Sequence, residues 1–583
     1  MGRQTFTQTN WFGGQIAEQR HGNASDEKYA SSSATIENLV VRPTGSLTRR
    51  PGTKFVARTD GNTSLGNEGK AVRLVPFVFG HESANNYVLE FGQGYIKIYK
   101  DGAVLNGTNA SNGAETHLKI TGTPYDTNEK LQDLQFVQSA DILFLVTPKV
   151  KPYKLSRSTG TTAGTWRTSD GFEWALAEFP YKNGPYLGQQ EDSATGSTDT
   201  VIDVSGGTAI IAHTTATGKA FINENFGGSS PIEAKNGAYE GYTGNIASLS
   251  YFQVKNHGLQ EGMLITLDGD EASGTSHVPR EGSTWVVRNP TANTFQIALT
   301  ATGDIEEFST SSGAVTAEGA KPYKVFAQYY AKGDTLTLTA KNKAGSSVNI
   351  FTTASNGRHF RISLLKKGQI WWVWGKLSGI SGDQNTATLT LEEDCPVTSD
   401  LVGLTSWKFG EWYTDQYPHH VAIFQQRMVF ARNTRSPQTV WFSGTADFEN
   451  FAPSEALGSA TGQSTASGAS IIGDQILATN GMTFTFDSGT IDEIQWLIAQ
   501  QKLIAGSTGG IYAVYGSEQD LTITPFNFTI KRESTQPAQT GSNAIPYDNN
   551  ILFIQGTGKK VRLITYGDIS SSATSADMTF RAT

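Results

Sequence analysis

The chain has 583 residues, and since one domain takes roughly 100 to 200 it holds several domains or one large β platform with insertions. Charged residues make up only 17% and aromatics 10%, alongside 62 glycines, a balance that excludes a disordered chain and favours short strands joined by tight turns over helices. The 46 basic and 54 acidic side chains leave a net charge of −8, which excludes a generally basic, phosphate-neutralising nucleic-acid binder.

The opening MGRQTFTQTNWFGGQIAEQR lacks an apolar run followed by a small-residue cleavage site, so no secretory signal is expected. From 42 to 58 the sequence holds Arg42, Arg49, Arg50, Lys54 and Arg58 and no acid, a local charge of +5 on an acidic chain. Charge alone leaves two readings of this strip: docking on an acidic partner surface or DNA, and a solvated loop feeding a strand. Five segments then read as two short apolar strands around a Gly- or Pro-containing turn. They start at Tyr87 (YVLEFGQGYIKIYKDG), Ile142 (ILFLVTPKVKPYKL), Met428 (MVFARNTRSPQTVWFSG), Lys502 (KLIAGSTGGIYAVYG) and Ile551 (ILFIQGTGKKVRLITY). In the first, Ile96 and Ile98 are expected on one face and Tyr95, Lys97 and Tyr99 on the other. Their spacing loosely resembles that of four-stranded propeller blades. NEKLQDLQFVQSAD at 128–141 is the best candidate for one short helix.

Ser, Thr, Gly and Ala dominate about 190–247 and 303–320, the look of loops around an insertion. Between them YFQVKNHGLQEGMLITLDG and STWVVRNPTANTFQIAL predict a small barrel-like module, with strands at 285–288 and 295–299 joined by a turn. The expected organisation is an N-terminal docking segment at 1–70, propeller-like hairpins at 71–190, an inserted β-rich part at 191–345 with the small barrel at about 250–300, and the remaining hairpins at 346–583. The fold class expected is mainly β, an irregular propeller-like body with a platform segment and an inserted small barrel.

Chemistry is sparse. SLGNEGKA at 64–71 has Ser64 and Ala71 where a phosphate loop needs Gly and Ser or Thr. HESAN at 81–85 ends in Asn85 and so lacks the second imidazole of a zinc helix. His419 and His420 are adjacent and in a strand point to opposite faces, as core or surface histidines rather than chelators. Glu392, Glu393 and Asp394 form the one dense carboxylate cluster, read as a solvated turn before the lone cysteine, Cys395, itself read as a small buried hydrophobe. Trp372 and Trp374 would share a strand face opposite Trp371, as core or subunit packing more than a ligand platform. No catalytic residue, cofactor site or metal site is expected. The longest apolar runs fall short of a membrane span.

The order of blocks resembles one family. Trp11, Phe12, Gly13 and Gly14, then Asp26, Lys28 and Tyr29, then Glu37 and Asn38, then Arg49-Arg50-Pro51-Gly52-Thr53 look like the N-terminal signature of tail nozzle proteins of short-tailed bacteriophages, also called tail tubular protein B. VRLVPFVF, LQFVQSADILFLVTPKVKPYKL, FEWALAEFPYKNGPYL, VAIFQQRMVFARNTRSPQTVWFSGTADFENF and IDEIQWLIAQQKLIAGSTGGIYAVYG are similar to later blocks, so the resemblance covers about two thirds of the chain, in order. The module at 250–300 resembles a small β-barrel insert of phage tail proteins. Longer relatives continue past a step similar to the closing SADMTFRAT.

The resemblance implies a structural virion protein made in the host bacterial cytoplasm, not an enzyme: a homohexamer forming the distal tail tube, docked on a dodecameric adaptor ring, surrounded by fibres or spikes, passing viral DNA through its lumen and meeting the host envelope at its tip. Trp11, Phe12, Arg42, Arg49, Arg50, Lys54 and Arg58 are the expected docking residues. The alternative is a host-surface glycan binder or depolymerase, which would need exposed aromatic platforms and paired carboxylates.

Overall fold

The computed structural model describes residues 7–59, 72–80, 86–109, 113–115, 118–159, 166–187, 200–207, 210–211, 233–236, 250–253, 259–268, 284–291, 294–305, 324–364, 372–398, 401–453, 477–486, 489–517, 519–566 and 573–579. The protein is mainly β: among the described residues 49% are in strands and 4% in helix. Its internal contacts divide it into two units, one of Met1–Pro180, Tyr417–Phe442 and Phe484–Thr583, the other of Tyr181–Gln416 and Ser443–Thr483. The stretch 191–345 lies within the second unit, which runs on to Gln416.

Five larger sheets and two two-stranded ones, Gly14–Gln15 with Ser32–Ser33 and Leu39–Val41 with Leu47–Arg49, build the described part of the first unit. The first orders Lys119–Thr121, Tyr95–Lys100, Asn86–Gly92 and Arg73–Val78, with Ala103–Val104 beside Tyr95–Lys100. The second centres on Gln135–Ser139, Ile142–Thr147, Val150–Ser158 and Glu173–Glu178, extended by Trp166–Thr168, Gly107–Asn109 and Gly113–Glu115. Three four-stranded sheets follow, each ordered as in the chain: His420–Phe424, Arg427–Ala431, Thr439–Phe442, Met482–Thr485; then Ile494–Ala499, Leu503–Ser507, Gly510–Tyr515, Thr529–Ser534; then Ile545–Tyr547, Asn550–Ile554, Val561–Tyr566, Ala573–Asp577. All five expected hairpins are present, each a pair of short, largely apolar strands on either side of a connecting turn or loop.

Each sheet packs on the next. The first two share a core in which Phe77, Leu89 and Ile98 meet Leu143, Leu155 and Trp174, with Trp174 edge-on to Phe77 at 5.1 Å. On the second, Gln135–Ser139 and Ile142–Thr147 lie against His420–Phe424, and Phe179 meets Phe430 edge-on at 5.8 Å. His420–Phe424 in turn lies against Ile494–Ala499. The last two sheets share Trp496, Ile504 and Ala513 with Ile551, Phe553 and Ile564.

The helix expected at 128–141 is a single turn and a half, Asn128–Gln132, after which the chain becomes the strand Gln135–Ser139. Thr127 opens the helix by accepting a hydrogen bond from the Lys130 amide. The strand prevails because of what it closes. Gln138 accepts from the Val78 amide at 3.0 Å and donates to the Val78 carbonyl at 2.9 Å, capping the outer edge of Arg73–Val78. Two residues back on that edge, Pro76 has no N–H to offer, so the edge is blunted twice. The expected alternation in Tyr95–Lys100 holds for Ile96 and Ile98, both buried, but Lys97 is buried too, and Tyr95 and Tyr99 donate their hydroxyls to buried Glu90.

In the second unit a six-stranded sheet orders Thr200–Gly206, Thr335–Asn342, Thr386–Leu391, Trp372–Ser378, His359–Ser363 and Trp407–Phe409. Thr335–Asn342 shows why: Leu336, Leu338 and Ala340 enter the core while the intervening threonines face away, the two-residue period of a strand. An eight-stranded sheet holds Lys324–Tyr330, Leu264–Asp268, Thr284–Arg288, Thr294–Ala298 and Ser250–Gln253, with Ile210–Ile211, Glu233–Asn236 and Cys395–Pro396 at its margins. The predicted strand pair of the small module is Thr284–Arg288 against Thr294–Ala298. Its sheet draws strands from well outside 250–300.

Candidate docking surface

The N-terminal segment folds around a turn. Arg42-Pro43-Thr44-Gly45 closes with Gly45 N–H donating to the Arg42 carbonyl, and Arg42 N–H donates to Ser46. Gly45 sits at φ +82°, the left-handed position such a three-residue hairpin loop requires. The turn joins Leu39–Val41 to Leu47–Arg49. Gly45 also receives the chain start: its carbonyl accepts from Trp11 N–H at 2.8 Å, and a Cβ there would lie 3.0 Å from the Phe12 ring.

The structure therefore brings Trp11, Phe12 and Arg42 together at one turn. Arg42 also donates through Nε to Thr48 Oγ1 at 2.9 Å. Arg49 pairs in register with Leu39 at the other end of the hairpin, and Arg50 N–H donates to Asn38. Lys54 and Arg58 follow in 51–59, which has no regular structure. All five cations are exposed, Phe12 is exposed and Trp11 is partly so. Among the described residues none of the five cations has an ion-pair partner.

Within 7–59 a single hydrophobic side chain, Ile16, is buried. Leu39, Val40, Phe55 and Val56 stand exposed among the cations, Phe55 at 75%. Charge does not single these four out; their signal in the sequence is large apolar side chains set inside a run of cations. A segment that buries so little apolar surface gains little from folding by itself, and its exposed mixture of cations and hydrophobes suits a partner surface.

The remaining candidates are engaged within the protein. Glu392 pairs with Lys376 at 2.7 Å and Lys332 at 3.6 Å; Glu393 accepts from Trp374 N–H and Asp394 from Lys332 N–H. Cys395 is buried, and burial, with Glu393 nearby, pushes its thiol up. Trp372 lies under the Arg361 guanidinium at 4.2 Å, and Trp374 lies 5.0 Å from His359. The neighbouring Arg358 is covered by Tyr413 and Phe409 at 4.1 and 4.5 Å, and burial lowers its pKa to about 10. His420 is buried and His419 partly so, with both pKa values lowered to about 3. Trp371 and the stretches 64–71 and 81–85 lie outside the described residues.

Among the described residues no group of three or more His, Cys, Asp or Glu side chains could hold a metal ion, and no helix is long and apolar enough to cross a membrane. No family model matches the chain, and no curated protein matches it.

Proposed function

We propose that this chain is the subunit of a tail nozzle of a short-tailed bacteriophage, a structural conduit for DNA with no bond-making chemistry. One observation carries the reading: of its hydrophobic side chains 7–59 buries only Ile16, while it exposes five cations without an ion-pair partner among the described residues and five large hydrophobes, Phe12, Leu39, Val40, Phe55 and Val56, as a segment completed by a partner would. The ordered sequence blocks and the succession of face-packed sheets support it. In this reading the sheets of the first unit act as blades of an irregular propeller, and six copies weighing about 377 kDa, six times 62.8 kDa, form the tube. Trp11, Phe12, Arg42, Arg49, Arg50, Lys54 and Arg58 face the dodecameric adaptor ring, fibres or spikes surround the tube, and its far end meets the host envelope. The net charge of −8 per subunit, if it lines the bore, repels phosphate and lets DNA slide.

The test is native mass and negative-stain microscopy on the purified protein, alone and mixed with its adaptor ring. Sixfold particles, or a sixfold cap on the adaptor, are expected. A monomer that ignores the adaptor refutes the reading, and release of reducing ends from host polysaccharide would replace it with a depolymerase.

A further inference from the structure

The segment 7–59 includes a two-stranded sheet whose edges are open. It pairs Leu39 with Arg49, Val40 with Thr48 and Val41 with Leu47. Beside these pairs, Arg50 N–H donates to the Asn38 carbonyl and Arg42 N–H to the Ser46 carbonyl. Along an antiparallel pair, positions bonded to each other alternate with positions whose N–H and C=O point away from the partner strand. The bonds at 38 with 50 and at 42 with 46 therefore turn the backbone groups of Leu39, Val41, Leu47 and Arg49 outward. Among the described residues no further strand pairs with either edge.

Two other edges of the first unit are blunted. Pro76 and Gln138 close the outer edge of Arg73–Val78, and Ile545–Tyr547 has Pro546 at its centre, a residue type found on edge strands where an N–H would face solvent. In the hairpin the prolines, Pro43 and Pro51, lie beyond Val41 and Arg49, so they limit the open runs without closing them. A two-stranded sheet is at best marginally stable by itself in water, and here Leu39 and Val40 remain 41% and 45% exposed. Leu39, Val41, Leu47 and Arg49 share one face, and Arg42 and Thr48 share the other. The edge Leu47–Arg49 thus offers, two residues apart, a half-buried apolar side chain and an exposed guanidinium, with exposed Arg50 next. The edge Leu39–Val41 carries no cation and follows Glu37, the one acid in 28–59.

We propose that the edge Leu47–Arg49 takes an added antiparallel strand from a protein partner, with a carboxylate side chain opposite Arg49 and an apolar one opposite Leu47. Outward N–H and C=O groups on alternate residues are the complement of an extended polypeptide, which supplies both acceptors and donors. Charge decides which polypeptide. A second copy of the same edge would bring two sets of Arg42, Arg49 and Arg50 together, and like charges across a strand pair repel, whereas Asp or Glu opposite Arg49 is attracted. Two residues separate the positions facing Arg49 and Leu47, so the partner strand reads acid, any residue, apolar residue in its own chain direction. In the nozzle reading that strand belongs to the adaptor ring; only this source, not the edge, rests on that reading.

The test is amide hydrogen exchange on the full chain, read residue by residue by mass spectrometry, with two probes. One is the adaptor ring; the other is the synthetic peptide Ser-Thr-Glu-Thr-Val-Thr-Ser at millimolar concentration, which places Glu opposite Arg49 and Val opposite Leu47. The Leu47 and Arg49 amides should slow about ten-fold on binding, while those of Leu39 and Val41 keep exchanging. Leu47→Pro removes one outward N–H and none of the hairpin's own bonds, and should weaken binding to the ring about ten-fold; Leu39→Pro, the same change on the other edge, should leave it as in the native protein. Equal losses in the two variants overturn the proposal. A ring that binds without slowing the Leu47 and Arg49 amides leaves the nozzle reading standing and the added strand refuted. Slowing by the peptide with no binding to the ring does the reverse, and slowing by neither probe refutes the added strand outright. Protection of the same amides by duplex DNA in place of both probes overturns it in favour of nucleic acid.

Discussion

Acid should destabilise the first unit through one pair of side chains. His419 and His420 lead into the strand His420–Phe424. His420 Nε2 meets the Ile494 carbonyl at 3.1 Å, and Arg432 donates to that same carbonyl and pairs with Glu493 at 2.8 Å. Burial is the main cause that lowers both imidazoles to about 3; the Arg432 charge adds to it at both, and His419 adds to it at His420. In the unfolded chain each titrates near 6.5. Between pH 6.5 and 3 the unfolded state therefore binds more protons than the folded state, and stability is lost as pH falls through that window. At pH 5 the difference is about 1.5 pH units, or about 2 kcal/mol for one imidazole, and adjacent rings that titrate together give between about 2 and 4 kcal/mol for the pair. That is a large share of a typical domain's 5 to 15 kcal/mol. The perturbation is His419→Gln with His420→Gln, since the amide of Gln can still donate toward Ile494. Urea unfolding followed by tryptophan fluorescence at pH 7 and pH 5 reads the result. The native protein should lose about 2 to 4 kcal/mol more than the variant on acidification, because the carboxylates common to both cancel. Equal losses in the two proteins would refute the reasoning.

Three further predictions concern docking and packing. Arg49→Glu with Arg50→Glu, both exposed, should abolish binding to the adaptor ring while leaving the melting temperature within about a degree, as surface changes usually do; normal assembly by this variant would end the docking assignment. Trp174→Ala should cost about 3 to 5 kcal/mol in urea unfolding, because the ring is fully buried between the first two sheets and meets Phe77 at 5.1 Å and Tyr87 at 5.3 Å. Gly506→Ala should cost about 1 to 3 kcal/mol, because its Cβ would lie 2.0 Å from the Trp496 ring, which must then shift against Phe553; a variant as stable as the native protein would show that the two sheets are more loosely packed than these contacts imply.

Strands that carry their own signal were legible in the sequence, and strands defined by a distant neighbour were not. The hairpins Ile142–Thr147 with Val150–Ser158 and Leu503–Ser507 with Gly510–Tyr515 announce themselves by short apolar runs around a short turn. Gln135–Ser139 does not: Leu131 and Leu134 sit three apart as in a helix, and the reason for extended chain at Gln138 is the Val78 backbone, 60 residues earlier. The same non-locality hides Lys97, whose strand neighbours suggest an outer face although the packed structure buries it. For the candidate site, the run of cations at 42–58 was legible, because like charges without nearby acids remain at the surface. The exposure of Leu74 and Phe526 elsewhere in the chain was not, since an isolated apolar residue in a strand or turn looks the same in sequence whether it is covered or exposed.

Cations in this chain occupy two kinds of environment, and the contrast bears on which of them can act outward. Arg157, Arg358 and Arg361 are buried, each with its guanidinium over aromatic rings: Phe172 and Phe79 at 4.3 and 4.6 Å for Arg157, Tyr413 for Arg358, Trp372 for Arg361. Arg157 is further matched by Asp141 at 2.6 Å. Their charge is spent on packing, and little field from them reaches a partner. Arg49, Arg50, Lys54 and Arg58 lie over no ring and beside no carboxylate among the described residues, so their field extends about one Debye length, roughly 8 Å at physiological salt. On a chain whose total is −8, this exposed strip is where an acidic surface is attracted rather than repelled, and the hydrophobes beside it supply the contact that charge alone does not.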